Sequence, residues 1–125
     1  MATRARIAYR YSDGSYISSY HHWDGYLRGL GLMLTENYTD PKIVELSIQK
    51  GNASVWYEDS ALNDYYHAEP CAVHLSTREL LDSAFEAGEE FLYVYSEKLG
   101  GWKYCTNAQG EFVRISKESI LPEED

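Results

Sequence analysis

The densest group of side chains able to do chemistry is His21-His22-Trp23-Asp24-Gly25-Tyr26, followed by Arg28. His22 exchanges a proton near neutral pH, and Asp24 beside it is able to fix its tautomer. Trp23 and Tyr26 offer planar contact area with a polar handle. Arg28 stands four residues after Asp24, so on a helix the two share a face and the guanidinium can pair with an anion. His22, Trp23, Asp24, Tyr26 and Arg28 thus describe a pocket for a nucleotide-like anion, a carboxylate or a partner's side chain. The same residues also describe a strand-to-helix corner, with Asp24 as N-cap, Trp23 in the core and Gly25 permitting the turn.

Other chemistry is thinner. His67, Cys71 and His74 have spacings of 4 and 3, with Glu69 between them, and on a helix would share a face as zinc ligands. Pro70 breaks any helix there, and there is no Cys-x-x-Cys pair, so no metal is expected. Cys71 or Cys105 near a histidine satisfies the composition of a nucleophilic site only. The chain carries no nucleophile elbow, phosphate-binding loop or dinucleotide fingerprint. Neither an enzyme nor a cofactor is the expectation. Two cysteines are too few for a disulfide scaffold, and in a reducing cytoplasm both are free thiols.

Charge is the other signal. Of the 125 residues, 11 are Lys or Arg and 20 are Asp or Glu, for a net charge of −9. Phosphate affinity comes from Lys and Arg, so duplex nucleic acid is not an expected partner. Residues 1–30 are net +2 and the remainder net −11. Glu86, Glu89 and Glu90 cluster at a predicted helix end, and Glu58, Asp59 and Asp64 lie together earlier in the chain. Arrayed carboxylates can imitate phosphates and occupy a partner's nucleic-acid groove, although −9 also simply favours solubility. The 12 tyrosines add contact area. Tyr57, Tyr65, Tyr66, Tyr93, Tyr95 and Tyr104 cannot all be deep core. Tyr93 and Tyr95 alternate with Leu92 and Val94, so helices covering the Leu92/Val94 face would leave both tyrosines outward as an adhesive stripe.

The elements that must position these groups follow from patterning. Arg6–Tyr11 and Ser15–Tyr20 are β-prone runs around Asp13-Gly14, a hairpin with a type I′ turn. Leu27, Leu30, Leu34 and Tyr38 mark one helical face, interrupted by Gly29 and Gly31. Asp40-Pro41 starts a second helix that Lys50-Gly51 closes. Residues 53–57 and 71–75 suit short strands, and 58–69 a loop or helical turn. Ser76-x-x-Glu79 is a capping box for a third helix, ended by Gly88. Strands follow at 91–95, 102–106 and 111–115. The expected fold is α+β, an antiparallel sheet of about five strands with three helices packed on one face, the first hairpin lying beside the last meander. A single domain spans 1–125, with 118–125 a frayed acidic tail. No apolar run approaches the ~20 residues that span a bilayer, and no signal segment is present, so a cytoplasmic location is expected.

Asp13-Gly14-Ser15, His22-Trp23-Asp24-Gly25-Tyr26, Gly31, Leu34, Tyr38, Asp40, Lys42-Ile43-Val44 and Leu46 together form a pattern. Over residues 4–51 the chain resembles small phage and mobile-element proteins with a DGS hairpin and a HWDGY-like motif. The resemblance implies an accessory protein acting in the host cytoplasm. It would bind and disable a host protein, such as a CRISPR or other defence factor, or a nucleic-acid-handling complex. No chemistry for the matched residues comes with it.

Overall fold

A computed structural model describes residues 3–66 and 70–115. His67 and Glu69 of the metal constellation, and the 118–125 tail, lie outside the described residues.

Strands β1 (Ala5–Arg10) and β2 (Tyr16–His21) form the expected antiparallel hairpin. Its loop is one residue longer than a type I′ turn. Tyr11 N–H donates to the Ser15 carbonyl and Gly14 N–H to the Tyr11 carbonyl. Gly14 sits at φ +91°, the geometry of a three-residue loop with a glycine bulge. A wide helical turn, Leu27–Gly31, runs directly into α1 (Leu32–Asn37). Helix α2 (Pro41–Gln49) is capped by Asp40, whose carboxylate accepts from Lys42 N–H at 2.9 Å. The chain continues through β3 (Ala53–Val55), a 3₁₀ turn at Ser60–Leu62, β4 (Asp64–Tyr65) and β5 (Ala72–His74). Ser76 caps α3 (Thr77–Glu86), accepting from Glu79 N–H at 3.2 Å. Glu79 reaches back to Leu75 N–H, one residue beyond the usual capping-box partner. Strands β6 (Phe91–Ser96), β7 (Gly101–Cys105) and β8 (Val113–Arg114) complete the sheet.

Among the described residues the sheet has eight strands, not five, and it is mixed. Its order is β4-β3-β2-β1-β6-β7-β8, with β5 also on β2. The β1–β6 and β2–β3 pairs are parallel, and the rest antiparallel. The hairpin does lie beside the last meander, through the parallel β1–β6 pair. Outside β2 the sheet forks. Tyr16–Ser18 pair with β5, while His21 pairs with Ala53 of β3.

Helices cover both faces rather than one. Leu34, Tyr38, Val44 and Ile48 of the α1/α2 layer pack on Ile7, Tyr9, Ile17, Tyr93 and Tyr95. Leu80, Leu81 and Ala84 of α3 pack on Ala8, Tyr16, Leu92 and Val94. Successive residues of a strand point to opposite faces, so odd positions of β1 and β6 serve one core and even positions the other. The run Phe-Leu-Tyr-Val-Tyr is the mark of a strand buried on both sides. Reading its alternation as one wet and one dry face is what misplaced the tyrosines.

Candidate functional site

The His21–Tyr26 segment leaves the sheet at the end of β2 and is pinned by its glycine. Gly25 N–H donates to the Thr3 carbonyl at 2.6 Å, and the Gly25 carbonyl accepts from the Tyr93 hydroxyl at 2.6 Å. A Cβ at Gly25 would collide with Ala5 and with the Thr3 carbonyl. Trp23 N–H donates to the Ser54 carbonyl at 2.9 Å, tying the corner to β3. Asp24 is not a helix cap. The helical turn begins after Tyr26 without a side-chain cap, and Asp24 accepts from Thr3 N–H at 3.3 Å. Trp23 is not core either, being 47% exposed.

His21 is the buried histidine of the pair. Its Nε2 accepts from Trp56 N–H at 3.1 Å, so the proton of the neutral ring sits on Nδ1. Burial first, then His22, pushes its pKa down to about 4, against the opposing pull of Asp24. Nδ1–H of His21 and Nε1–H of Trp56 are buried without a hydrogen-bond partner among the described residues. His22 pairs with the Tyr20 hydroxyl through Nδ1 at 2.6 Å, not with Asp24, and meets the Trp23 ring edge-on at 4.9 Å.

Two adjoining grooves open beside this corner. The first, about 200 Å³, is lined by His21, Trp23, Asp24, Leu30, Met33 and Trp56, among others. The second, about 390 Å³, shares Met33 and Trp56 and adds Tyr57, Glu58, Asp59 and Leu62. Among the described residues, neither is lined by a lysine or an arginine. The second groove is held in shape by its own loop. The Tyr38 hydroxyl donates to the Tyr57 carbonyl at 2.7 Å, Tyr57 N–H donates to Asn63 Oδ1 at 2.6 Å, and Asp59 accepts from Ala61 N–H at 3.0 Å. Tyr57 and Leu62 are exposed above it.

Of the pocket predicted from sequence, Trp23 and Asp24 line a groove. His22, Tyr26 and Arg28 do not. Tyr26 lies over Gly29, and Arg28 is an exposed residue of the wide turn. Of the predicted docking set, Glu58 and Asp59 line the second groove, and Asp64 is exposed on β4. Glu86 and Glu90 are exposed at the far end of α3, and neither lines either groove. Glu89 is not a docking residue. It is buried, receiving Arg6 Nε at 2.8 Å and Nη2 at 3.0 Å. Arg6 Nη1 continues to Ser18 Oγ at 3.0 Å, and Ser18 Oγ meets His74 Nε2 at 2.7 Å.

Tyr93 and Tyr95 do not face outward: they are 0% and 4% exposed beneath α1 and α2. Tyrosine can line a core when its hydroxyl finds an acceptor at the rim, as Tyr93 does at Gly25. Burial raises both thiols, Cys105 to about 11 and Cys71 in the same direction, away from the thiolate that a nucleophile needs. Both are free. No group of three or more metal-ligating side chains occurs among the described residues, and none of their helices is long and apolar enough to cross a membrane.

Sequence reasoning missed His21, Met33 and Leu62 as groove residues and read Trp56 only as part of a strand. Alternation along β2 carries a signal for the first, because His21 shares a face with Ile17. Comparison with protein-family models, with curated proteins and with solved structures finds no match.

Proposed function

We propose that this protein is a binding protein that docks on, and blocks, a partner protein with a basic surface. The docking face is the pair of grooves between Trp23 and Leu62. The observation that carries this reading is their lining: tryptophan, tyrosine and methionine beside Asp24, Glu58 and Asp59, with no lysine or arginine among the described residues. Large aromatic side chains dominate binding energy where they seat in pockets, and rim carboxylates steer a basic partner's approach. The net charge of −9 acts in the same direction. A host defence or nucleic-acid-handling protein, the partner implied by the resemblance to phage accessory proteins, has such a surface because it binds phosphates.

The test is comparative capture from nuclease-treated host-type lysate. A Tyr57→Ala/Leu62→Ser variant is expected to lose a partner that both the wild type and a Glu86→Lys/Glu90→Lys variant retain. Equal capture by all three would overturn this face as the docking site. A nucleotide-like anion is the weaker alternative, since the cavity presents Asp24 and a neutral His21 while Arg28 stands outside it.

A further inference from the structure

We infer that the cavity at the hairpin–helix corner is a seat for an arginine side chain of the partner, with the guanidinium against indole and hydrogen-bonded to Asp24. This inference rests on the docking reading and names its recognition chemistry. Three observations carry it. Trp23 and Trp56 both line the cavity, and tryptophan is the best aromatic face for a cation. Asp24 is the one carboxylate among the described lining residues, exposed and, among the described residues, hydrogen-bonded by the Thr3 N–H at 3.3 Å, so it retains acceptor capacity for a planar donor. The remaining titratable side chain in the lining, His21, is held neutral by burial and offers no competing charge.

Arginine fits better than lysine. Its guanidinium stacks on aromatic planes, is more weakly hydrated than an ammonium, and presents parallel N–H donors to a carboxylate. The adjoining groove repeats the chemistry with Trp56, Tyr57, Glu58 and Asp59. An extended peptide points residues i and i+2 to one side. A segment of the form Arg-x-Arg therefore offers one cation to each groove.

The probe is an acetylated, amidated Gly-Arg-Gly-Arg-Gly peptide, titrated while tryptophan fluorescence is recorded. Trp23 is the exposed indole of the three, Trp56 and Trp102 being buried. The expected result is a saturable change that weakens with added salt. It should weaken at least tenfold when citrulline replaces both arginines, and severalfold when lysine does. Asp24→Asn keeps an oxygen for the Thr3 N–H and should weaken the arginine peptide at least tenfold. Glu86→Lys/Glu90→Lys changes the net charge by as much as four without touching the cavity, and should leave binding within about twofold. Equal affinity for the citrulline peptide, or an unaffected Asp24→Asn variant, overturns the arginine seat. If no arginine peptide binds but Tyr57→Ala/Leu62→Ser still abolishes partner capture, the seat fails and the docking face stands. If the peptide binds as expected while capture is indifferent to that variant, the seat stands and the docking reading fails.

Discussion

On the α3 face of the sheet, Glu89, Arg6, Ser18 and His74 form an unbroken buried chain of hydrogen bonds. On the α1/α2 face, Ser19 Oγ, His21 Nδ1 and Trp56 Nε1 are buried with no partner among the described residues. Alternate residues of β2 feed the two sets, Ser18 the first and Ser19 and His21 the second. A buried polar group without a partner costs ~1–3 kcal/mol, so the second face carries a cost that the first avoids. It is also the face with the two aromatic, acidic grooves. The closed network ties β1 and β2 to β5 and to the segment that enters β6. On the proposed reading, the open side trades local stability for a surface that receives a partner.

The largest test of this contrast is to break the closed side. Glu89→Ala strands the Arg6 charge in the core and is expected to cost ~3–5 kcal/mol, read by denaturant unfolding. Replacing both partners, Arg6→Met with Glu89→Leu, should recover most of that loss. If Glu89→Ala costs less than ~1 kcal/mol, the network is not what holds this face.

The next effect is acid sensitivity on the open side. His21 is held at about 4 against an ordinary 6.5. Between those values the unfolded chain takes up a proton that the fold refuses. Stability therefore falls as pH drops from 6.5 to 4 and this contribution levels off below, by up to ~3 kcal/mol. His21→Gln, whose amide oxygen can take the Trp56 N–H, should flatten that slope measurably in urea titrations at stepped pH. An unchanged slope would mean that His21 is not the group responsible.

Tyr93→Phe is smaller. It removes the donor to the Gly25 carbonyl and should cost ~1–2 kcal/mol. Its more telling readout is a loosened corner, seen as faster amide exchange at Gly25. Smallest of all is Trp56→Phe, which deletes an unpaired donor along with some packing. The two terms oppose, so a change within about 1 kcal/mol is expected, well below the usual ~3–5 kcal/mol for losing a buried tryptophan to alanine. A larger loss on thermal melting would show that the indole N–H has a partner after all.

How much of this could be read beforehand divides along the same lines. Local chemistry was legible. Asp13-Gly14, the Asp40 and Ser76 caps, the Gly51 and Gly88 stops and the β6–β7 meander all announce themselves within a few residues, because turns and caps are made by neighbours. Long-range pairing is legible only in part: the hairpin's place beside the meander follows from patterning, but nothing near residues 5–10 says that β1 lies parallel to β6. Nor does the alternation of Tyr93 and Tyr95 with Leu92 and Val94 say that helices cover both faces of the sheet. Glu89 was read as surface charge because its partner, Arg6, is 83 residues away. At the site, the segment was found but its working members were shifted. β2 extends through His21, so register sends that histidine inward and leaves His22 to Tyr20. Trp56 and Tyr57 reach the corner only because β3 joins the far end of β2.

The parallel β1–β6 pair also bears on how the chain reaches this state. Ala5 pairs with Phe91 and Arg10 with Ser96, so the centre of the sheet closes a loop of more than eighty residues. Local pieces such as the first hairpin and the capped helices can form within microseconds, but closure of so distant a pair is slow. During synthesis at about 5–20 residues per second, β1 waits several seconds for its neighbour with one edge unpaired. A nascent chain stopped at residue 90 would hold a hairpin and three helices yet lack a centre. Ribosome-bound chains of increasing length should therefore resist protease abruptly once residue 96 has cleared the exit tunnel, rather than gradually along the way.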